Sequence, residues 1–117
     1  MSTTDRTYAL RCVPGFHSTY EGIQLAAQTS DKATDEDLQF MQQLGIEWMM
    51  VGVTNLSDQN ADYYKRLKER FAHYGLQIYR IANRSVHNMP EVTLNLPGRD
   101  EKVEEFATFI RHLGEAG

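Results

Sequence analysis

The sequence predicts an α/β protein built on a parallel sheet, and three observations indicate it. An amphipathic helical stripe is followed by a glycine and then by an apolar run of strand length, first at Gly45-Ile46 and again at Gly75-Leu76. The two junctions lie about 30 residues apart, which is the size of one β–α unit. A third helical stripe follows. Alternating strands and helices of this spacing favour parallel strands with helical crossovers.

The N-terminal part is the least regular. Tyr8–Val13 is short and partly apolar, and Pro14-Gly15 interrupts it, so it is predicted to be a strand followed by a turn. Three apolar residues then could begin a short helix: Tyr20, Ile23 and Leu25. The polar stretch Gln28–Lys32 is predicted to be a loop.

The first clear helix is predicted from Thr34 to Leu44. Thr34 is a suitable N-cap, and Asp37 stands three residues later, at the capping-box position. Gly45 is placed to end this helix. The run Ile46–Val53 that follows is almost continuously apolar, which is typical of a parallel strand buried on both faces.

The second unit repeats this order. Ser57, Asp58 and Asn60 are candidate N-caps. The predicted buried stripe of the helix comprises four residues: Tyr63, Leu67, Phe71 and Tyr74. Gly75 ends the helix, and Leu76–Ala82 is predicted to be the next strand.

A long connection, Asn83–Gly98, precedes the third helix, and structureless loops of this length are often functional. Asp100 is the predicted N-cap of that helix, with Gly114 and Gly117 as its stop. Its predicted buried stripe comprises Val103, Phe106, Ile110 and Leu113. Because a strand is predicted directly after each helix-ending glycine, at Gly45 and Gly75, the same order predicts a fourth strand after Gly117.

Composition and charge exclude several classes of function. The net charge of −4 and the pI near 5.5 argue against a nucleic-acid partner. No apolar stretch approaches the ~18 residues that span a bilayer, and the polar N-terminus does not resemble a secretion signal. The single cysteine, Cys12, precludes an intrachain disulfide and fits a reducing compartment. We therefore expect a cytoplasmic protein without membrane contact.

Candidate binding residues stand where the predicted strands end, because chemistry in α/β sheets collects at the carboxyl ends of strands. Polar groups suited to a hydroxylated or anionic ligand occur there: His17, Asn55, Asn83, Arg84 and His87. Arg99 either binds a carboxylate or belongs to the turn into the third helix. His17 is equally well explained as an ordinary loop residue, and Cys12 is better explained as a core residue than as a nucleophile or ligand. No sequence motif for a self-contained metal or nucleotide site occurs.

Three segments carry a resemblance to a known family: DLQFMQQLGIEWMMVGV, LKERFAHYGLQIYRIANR and VTLNLPGRDEKVEEFATFIRHLGEAG. They resemble the N-terminal portion of the mannonate dehydratase family, which belongs to the xylose isomerase-like barrels. The most specific pieces are Leu96–Glu101 and Ile110–Gly117. The resemblance covers roughly residues 35 to 117. Arg11–His17 does not match the family's usual first strand, and Ala82 stands where family members often carry a glutamate.

The resemblance implies that residues 1–117 are the N-terminal segment of one TIM-barrel domain, with the first three β–α units of a (β/α)₈ barrel and the rest missing. It implies a lyase of hexuronate catabolism that removes water from D-mannonate to give 2-keto-3-deoxy-gluconate. It also implies a divalent metal, manganese or iron(II), whose ligands in the family come from later strands. None of those ligands is assigned to this chain.

Two alternatives stay open on the sequence. A sugar or sugar phosphate isomerase or epimerase of the same barrel group shares metal-assisted proton abstraction, and this segment does not separate it from a dehydratase. The other is a non-catalytic truncated fragment that binds itself or a partner through sheet edges. Three strands cannot close a barrel and would leave two edges unpaired, so we expect this chain alone to be marginally stable or to associate as a homo-oligomer.

Overall fold

A computed structural model describes residues 22–54 and 59–117. Within these ranges the chain forms a three-stranded sheet in the order β1-β2-β3, and both strand pairs are parallel. The prediction of an α/β chain with a parallel sheet is therefore confirmed. The predicted strand Tyr8–Val13 lies outside the described residues. No helix in the described ranges has the length and hydropathy needed to cross a membrane.

Strands and helices alternate along most of the chain. The strands are β1 (Ala26–Ser30), β2 (Trp48–Val53) and β3 (Gln77–Asn83), and the helices are α1 (Asp35–Gln43), α2 (Ala61–His73), α3 (Pro90–Thr93) and α4 (Arg99–Ala116). A turn of 3₁₀ helix, Arg84–Val86, follows β3 directly. The connection predicted to be structureless thus contains two short helical pieces.

Local sequence explains where α1 begins and ends. The Asp37 N–H donates to Thr34 Oγ1 over 3.2 Å, and the Thr34 N–H donates to Asp37 Oδ2 over 2.9 Å, which completes the predicted capping box. The Asp37 carboxylate also accepts from the Thr34 hydroxyl over 2.8 Å, and the hydrogen bonds from the Thr34 backbone and hydroxyl, the backbone one first, lower the pKa of Asp37. At the other end Gly45 takes φ +74°, and the N–H of Ile46 donates to the Met41 carbonyl, as in a Schellman motif.

The core lies between one face of the sheet and the helices. Met49 and Val51 of β2 are fully buried on that face, and β3 presents Ile78 and Ile81 at the same levels. They pack in one cluster with a buried residue from each of the three longer helices: Leu38 of α1, Phe71 of α2 and Phe109 of α4. Three helices therefore cover the same face of the sheet.

Two predictions for the N-terminal part are wrong. Gln28–Ser30, predicted to be loop, belongs to β1, and Ile23 and Leu25 are not helical. The strand AAQTS is short, carries no large apolar residue and has an exposed–half-buried alternation. Its pairing to Trp48–Gly52 supplies the stability that its own composition does not, since strand propensity depends strongly on the neighbouring strand.

The third long helix also differs from its prediction. It begins at Arg99 with Gly98, at φ +89°, as N-cap, so Asp100 lies inside the first turn and is not the cap. It continues through Gly114 to Ala116. Among its apolar residues Phe109 is buried, whereas Val103, Phe106 and Ile110 are between 43% and 49% exposed. The predicted buried stripe is therefore wrong for these three residues, whereas Leu113, its fourth member, is partly buried against the core.

The α2 stripe is confirmed in part. Leu67 and Phe71 are buried as expected, and Tyr64 is buried in place of its neighbour Tyr63, which is only partly covered. The N-cap is Asn60, whose Oδ1 accepts from the Tyr63 N–H over 2.9 Å.

Candidate functional site

The carboxyl end of β3 borders an open cavity of about 350 Å³, within the usual size range of small-molecule sites, roughly 300–1,000 Å³. It brings together three of the predicted site residues: Asn83, Arg84 and His87. Its other lining residues come from β2, β3, the 3₁₀ turn and α4: Met50, Arg80, Ile81, Ala82, Val86, Phe106 and Phe109. The cavity thus combines an apolar floor with several cationic or polar groups.

The Asn83 side chain is hydrogen-bonded within the protein. It is buried; its Nδ2 donates to Gln59 Oε1 over 3.2 Å, and its Oδ1 accepts from the Ser85 N–H over 2.9 Å. The same Gln59 oxygen accepts a hydrogen bond of 2.6 Å from the Tyr64 hydroxyl. Asn83 therefore holds the start of the 3₁₀ turn and a buried polar network, and it presents little free hydrogen-bonding capacity to a ligand.

A second tyrosine contact joins the carboxyl end of β1 to the same region. The Tyr63 hydroxyl donates to Asp31 Oδ2, and Asp31 directly follows β1. Tyr63 and Tyr64 also pack edge to face, with ring centroids 5.4 Å apart. Burial raises the pKa of Tyr64 to about 12, with the nearby Asp31 charge adding to it. Burial and the hydrogen bond to Asp31 raise the pKa of Tyr63 well above its usual range.

These raised pKa values predict that the tyrosines of the folded chain titrate in more than one phase. Tyr63 and Tyr64 should form tyrosinate only at higher pH, and burial raises the pKa of Tyr74 in the same direction. Because the folded pKa of Tyr64 is raised, its contribution to stability is present below the unfolded pKa of about 10. It is lost as pH rises towards about 12. Tyrosinate absorbance of the native chain should show a late phase that shrinks in Tyr64→Phe. An unchanged late phase in both Tyr64→Phe and Tyr63→Phe would contradict the network.

Arg84 and His87 are exposed at the mouth of this cavity. Arg80, which lies in β3 four residues before Arg84, is exposed as well. Neither arginine forms an ion pair with any residue in the described ranges. Two guanidinium groups thus remain available to an anionic ligand at the carboxyl half of β3.

Arg99 lies apart from this group. It lines a different cavity, formed by Asn95–Glu101. Its guanidinium group donates hydrogen bonds to Asn95 Oδ1 over 2.7 Å and to Asp100 Oδ1 over 2.8 Å. These local bonds support the alternative in which Arg99 stabilises the turn into α4. His17 and Asn55 lie outside the described residues.

The sequence did not indicate that Arg80 lines this cavity or that Gln59 and Tyr64 form the buried network beside it. Arg80 precedes the strand end by three positions, and only the register of β3 shows that it shares a level with Met50 on the face away from the core. Gln59 precedes the helix cap and carries no motif. Its burial at 6% exposure becomes evident only when β3 and α2 are brought together.

The described residues contain no group of three or more histidine, cysteine, aspartate or glutamate side chains that could hold a metal ion. The described residues therefore offer no ligand set of their own for the divalent metal that the resemblance implies, which in the family takes its ligands from later strands. No protein-family model matches the sequence, and neither the curated proteins nor the solved structures contain a match.

Proposed function

We propose that this chain forms part of the substrate-binding mouth of a mannonate dehydratase-type barrel enzyme and binds a sugar acid there. The observation that carries the proposal is the exposed guanidinium group of Arg84 beside the exposed imidazole of His87, in one cavity at the carboxyl end of a parallel strand. The resemblance of residues 35 to 117 to that family supplies the substrate.

The chemistry of the cavity fits a polyhydroxylated carboxylate. A guanidinium group binds a carboxylate through two parallel hydrogen bonds, and Arg84 has no competing ion pair within the described ranges. His87 offers a ring nitrogen to a hydroxyl group. Removal of water from such an acid begins with loss of the proton alpha to the carboxylate, and a cation at the carboxylate makes that proton more acidic. In this proposal Arg84 orients the acid and stabilises its charge.

Binding of D-mannonate to the purified chain tests this directly. Calorimetry should show D-mannonate bound more tightly than two neutral probes, D-mannitol and D-mannose, the latter being of the aldose class that an isomerase takes. Arg84→Ala should weaken D-mannonate binding about 10- to 100-fold, the range expected when a hydrogen bond to a charged group is lost.

Arg66→Ala is the matched control, because Arg66 is an exposed arginine of α2 that lines none of these cavities. It should bind D-mannonate like the unmodified chain. Equal binding of the acid and of D-mannitol, or equal losses in the two arginine variants, would contradict the proposal. An assay for 2-keto-3-deoxy acid with added Mn²⁺ then reports whether this polypeptide also turns D-mannonate over.

A further inference from the structure

Arg84 lies in a turn whose other residues are anchored to the fold. The 3₁₀ turn Arg84–Val86 follows β3 directly, and Val86 is buried in the core cluster. The Ser85 N–H donates to Asn83 Oδ1 over 2.9 Å, and the Ser85 hydroxyl donates to the carbonyl of Thr54, just after β2, over 2.5 Å. Arg84 leaves the sheet between these anchored neighbours, so its position depends on theirs.

The Asn83 side chain serves this turn in one orientation only. An amide group has an acceptor oxygen on one side and an NH₂ donor on the other. Gln59 Oε1 accepts from Asn83 Nδ2 over 3.2 Å, and this bond directs Asn83 Oδ1 towards the Ser85 N–H. A reversed Asn83 amide would set donor against donor at Ser85 and acceptor against acceptor at Gln59. The Gln59 oxygen therefore fixes the acceptor that the turn requires.

The Gln59 oxygen is in turn held by α2. The Tyr64 hydroxyl donates to it over 2.6 Å, and the two residues are buried, at 6% and 4% exposure. The Tyr64 ring packs edge to face against Phe109, with ring centroids 6.1 Å apart. Neither Tyr64 nor Gln59 lines the cavity that contains Arg84. A chain of hydrogen bonds thus connects a helix outside the cavity to the turn at its mouth.

From these contacts we infer that Gln59 and Tyr64 are positioning residues of the sugar-acid site: without touching the ligand, they hold Asn83 in the orientation that orders the Arg84 turn. The inference rests on the proposed function for the identity of the ligand, whereas the order of the turn is a property of the free chain. Ordering a loop during binding costs affinity. A loosened turn should therefore weaken binding even though the Arg84 guanidinium group is still present.

Two substitutions in the network test the order of the turn. Tyr64→Phe removes the hydroxyl and keeps the ring, and Gln59→Met keeps the length of the side chain and removes its acceptor. In amide hydrogen exchange followed by NMR, the Ser85 N–H should exchange about 3- to 10-fold faster in each variant, relative to the Val51 N–H in the central strand. The ratio to Val51 separates local loosening of the turn from a general loss of stability.

Two further variants provide the control and the rescue. Tyr74→Phe removes a hydroxyl that is hydrogen-bonded to Asp35 at the other end of α2, so the Ser85 exchange ratio should not change. Gln59→Glu keeps oxygen acceptors for Tyr64 and Asn83, and it should exchange like the unmodified chain. Circular dichroism checks folding, and Tyr64→Phe decides the test if a Gln59 variant does not fold.

Calorimetry with D-mannonate then connects the turn to the site. Tyr64→Phe should bind the acid about 3- to 10-fold more weakly, and Tyr74→Phe should bind it like the unmodified chain. An unchanged Ser85 exchange ratio in Tyr64→Phe, or a loosened turn with unchanged affinity, would overturn the inference. If the unmodified chain binds no D-mannonate, the proposed function fails, and the Ser85 exchange ratio still decides whether the network orders the turn.

Discussion

Replacing Phe71 by alanine is expected to lower the free energy of unfolding by about 3–5 kcal/mol, the usual cost of removing a buried phenylalanine side chain. Phe71 has no exposed surface and packs in the cluster that joins α2 to β2, α1 and α4. Its loss would leave a cavity where three helices meet the sheet. A chain of this size is stable by only about 5–15 kcal/mol, so the variant should be largely unfolded at moderate urea concentrations.

Urea unfolding followed by circular dichroism measures this effect. Phe40→Ala is the control, because the Phe40 side chain is 55% exposed on α1. We expect it to change stability by less than about 1 kcal/mol. Similar losses in the two variants would mean that α2 does not anchor the core as described.

A charge at Met49 should have an effect at least as large. Met49 has no exposed surface on the helix-covered face of β2, and its neighbour Met50 points to the opposite face, where it is half-buried. An unpaired charge in an apolar interior costs several kcal/mol. Met49→Lys should therefore unfold the chain at neutral pH.

Met50→Lys is the matched control at the next position of the same strand. Its ammonium group can reach solvent through the open cavity beside β3, so this variant should remain folded with a smaller loss of stability. Because successive strand residues point to opposite faces, a larger loss at Met50 than at Met49 would mean that the strand presents the other face to the core. Thermal melts of both variants decide between these outcomes.

Patterns local in the sequence predicted much of the fold. The capping box of Thr34 and Asp37, the terminating glycines Gly45 and Gly75, and the apolar strand β2 all depend on residues a few positions apart, and the structure confirms each of them. The sequence of β1 has no comparable signal. AAQTS is polar and small, and only its pairing to β2 makes it a strand.

The errors in α4 have a different cause. Periodicity shows that Val103, Phe106 and Ile110 share a face, but not whether another element covers that face. Within the described chain none does, and Phe109, a quarter turn away, is the residue that enters the core. An apolar stripe that is periodic yet exposed marks a surface suited to another element.

The candidate site was predictable in its location and less so in its roles. Strand ends pointed to Asn83, Arg84 and His87, and all three line one cavity. The sequence did not show that the Asn83 amide is occupied by Gln59 and Ser85, since those partners depend on how α2 and the 3₁₀ turn meet β3. It left open whether Arg99 binds a carboxylate or belongs to the turn before α4, and local hydrogen bonds hold Arg99 in that turn.

The proposed binding of a sugar acid at the carboxyl end of β3 is tested most directly by backbone amide NMR of the isotopically labelled chain titrated with D-mannonate. We predict saturable shift changes concentrated at Arg80–His87 and at Phe106, with D-mannitol producing much smaller ones and Arg84→Ala abolishing most of them. Absence of saturable shifts there, or shifts centred instead on the cavity of Asn95–Glu101, would contradict the account.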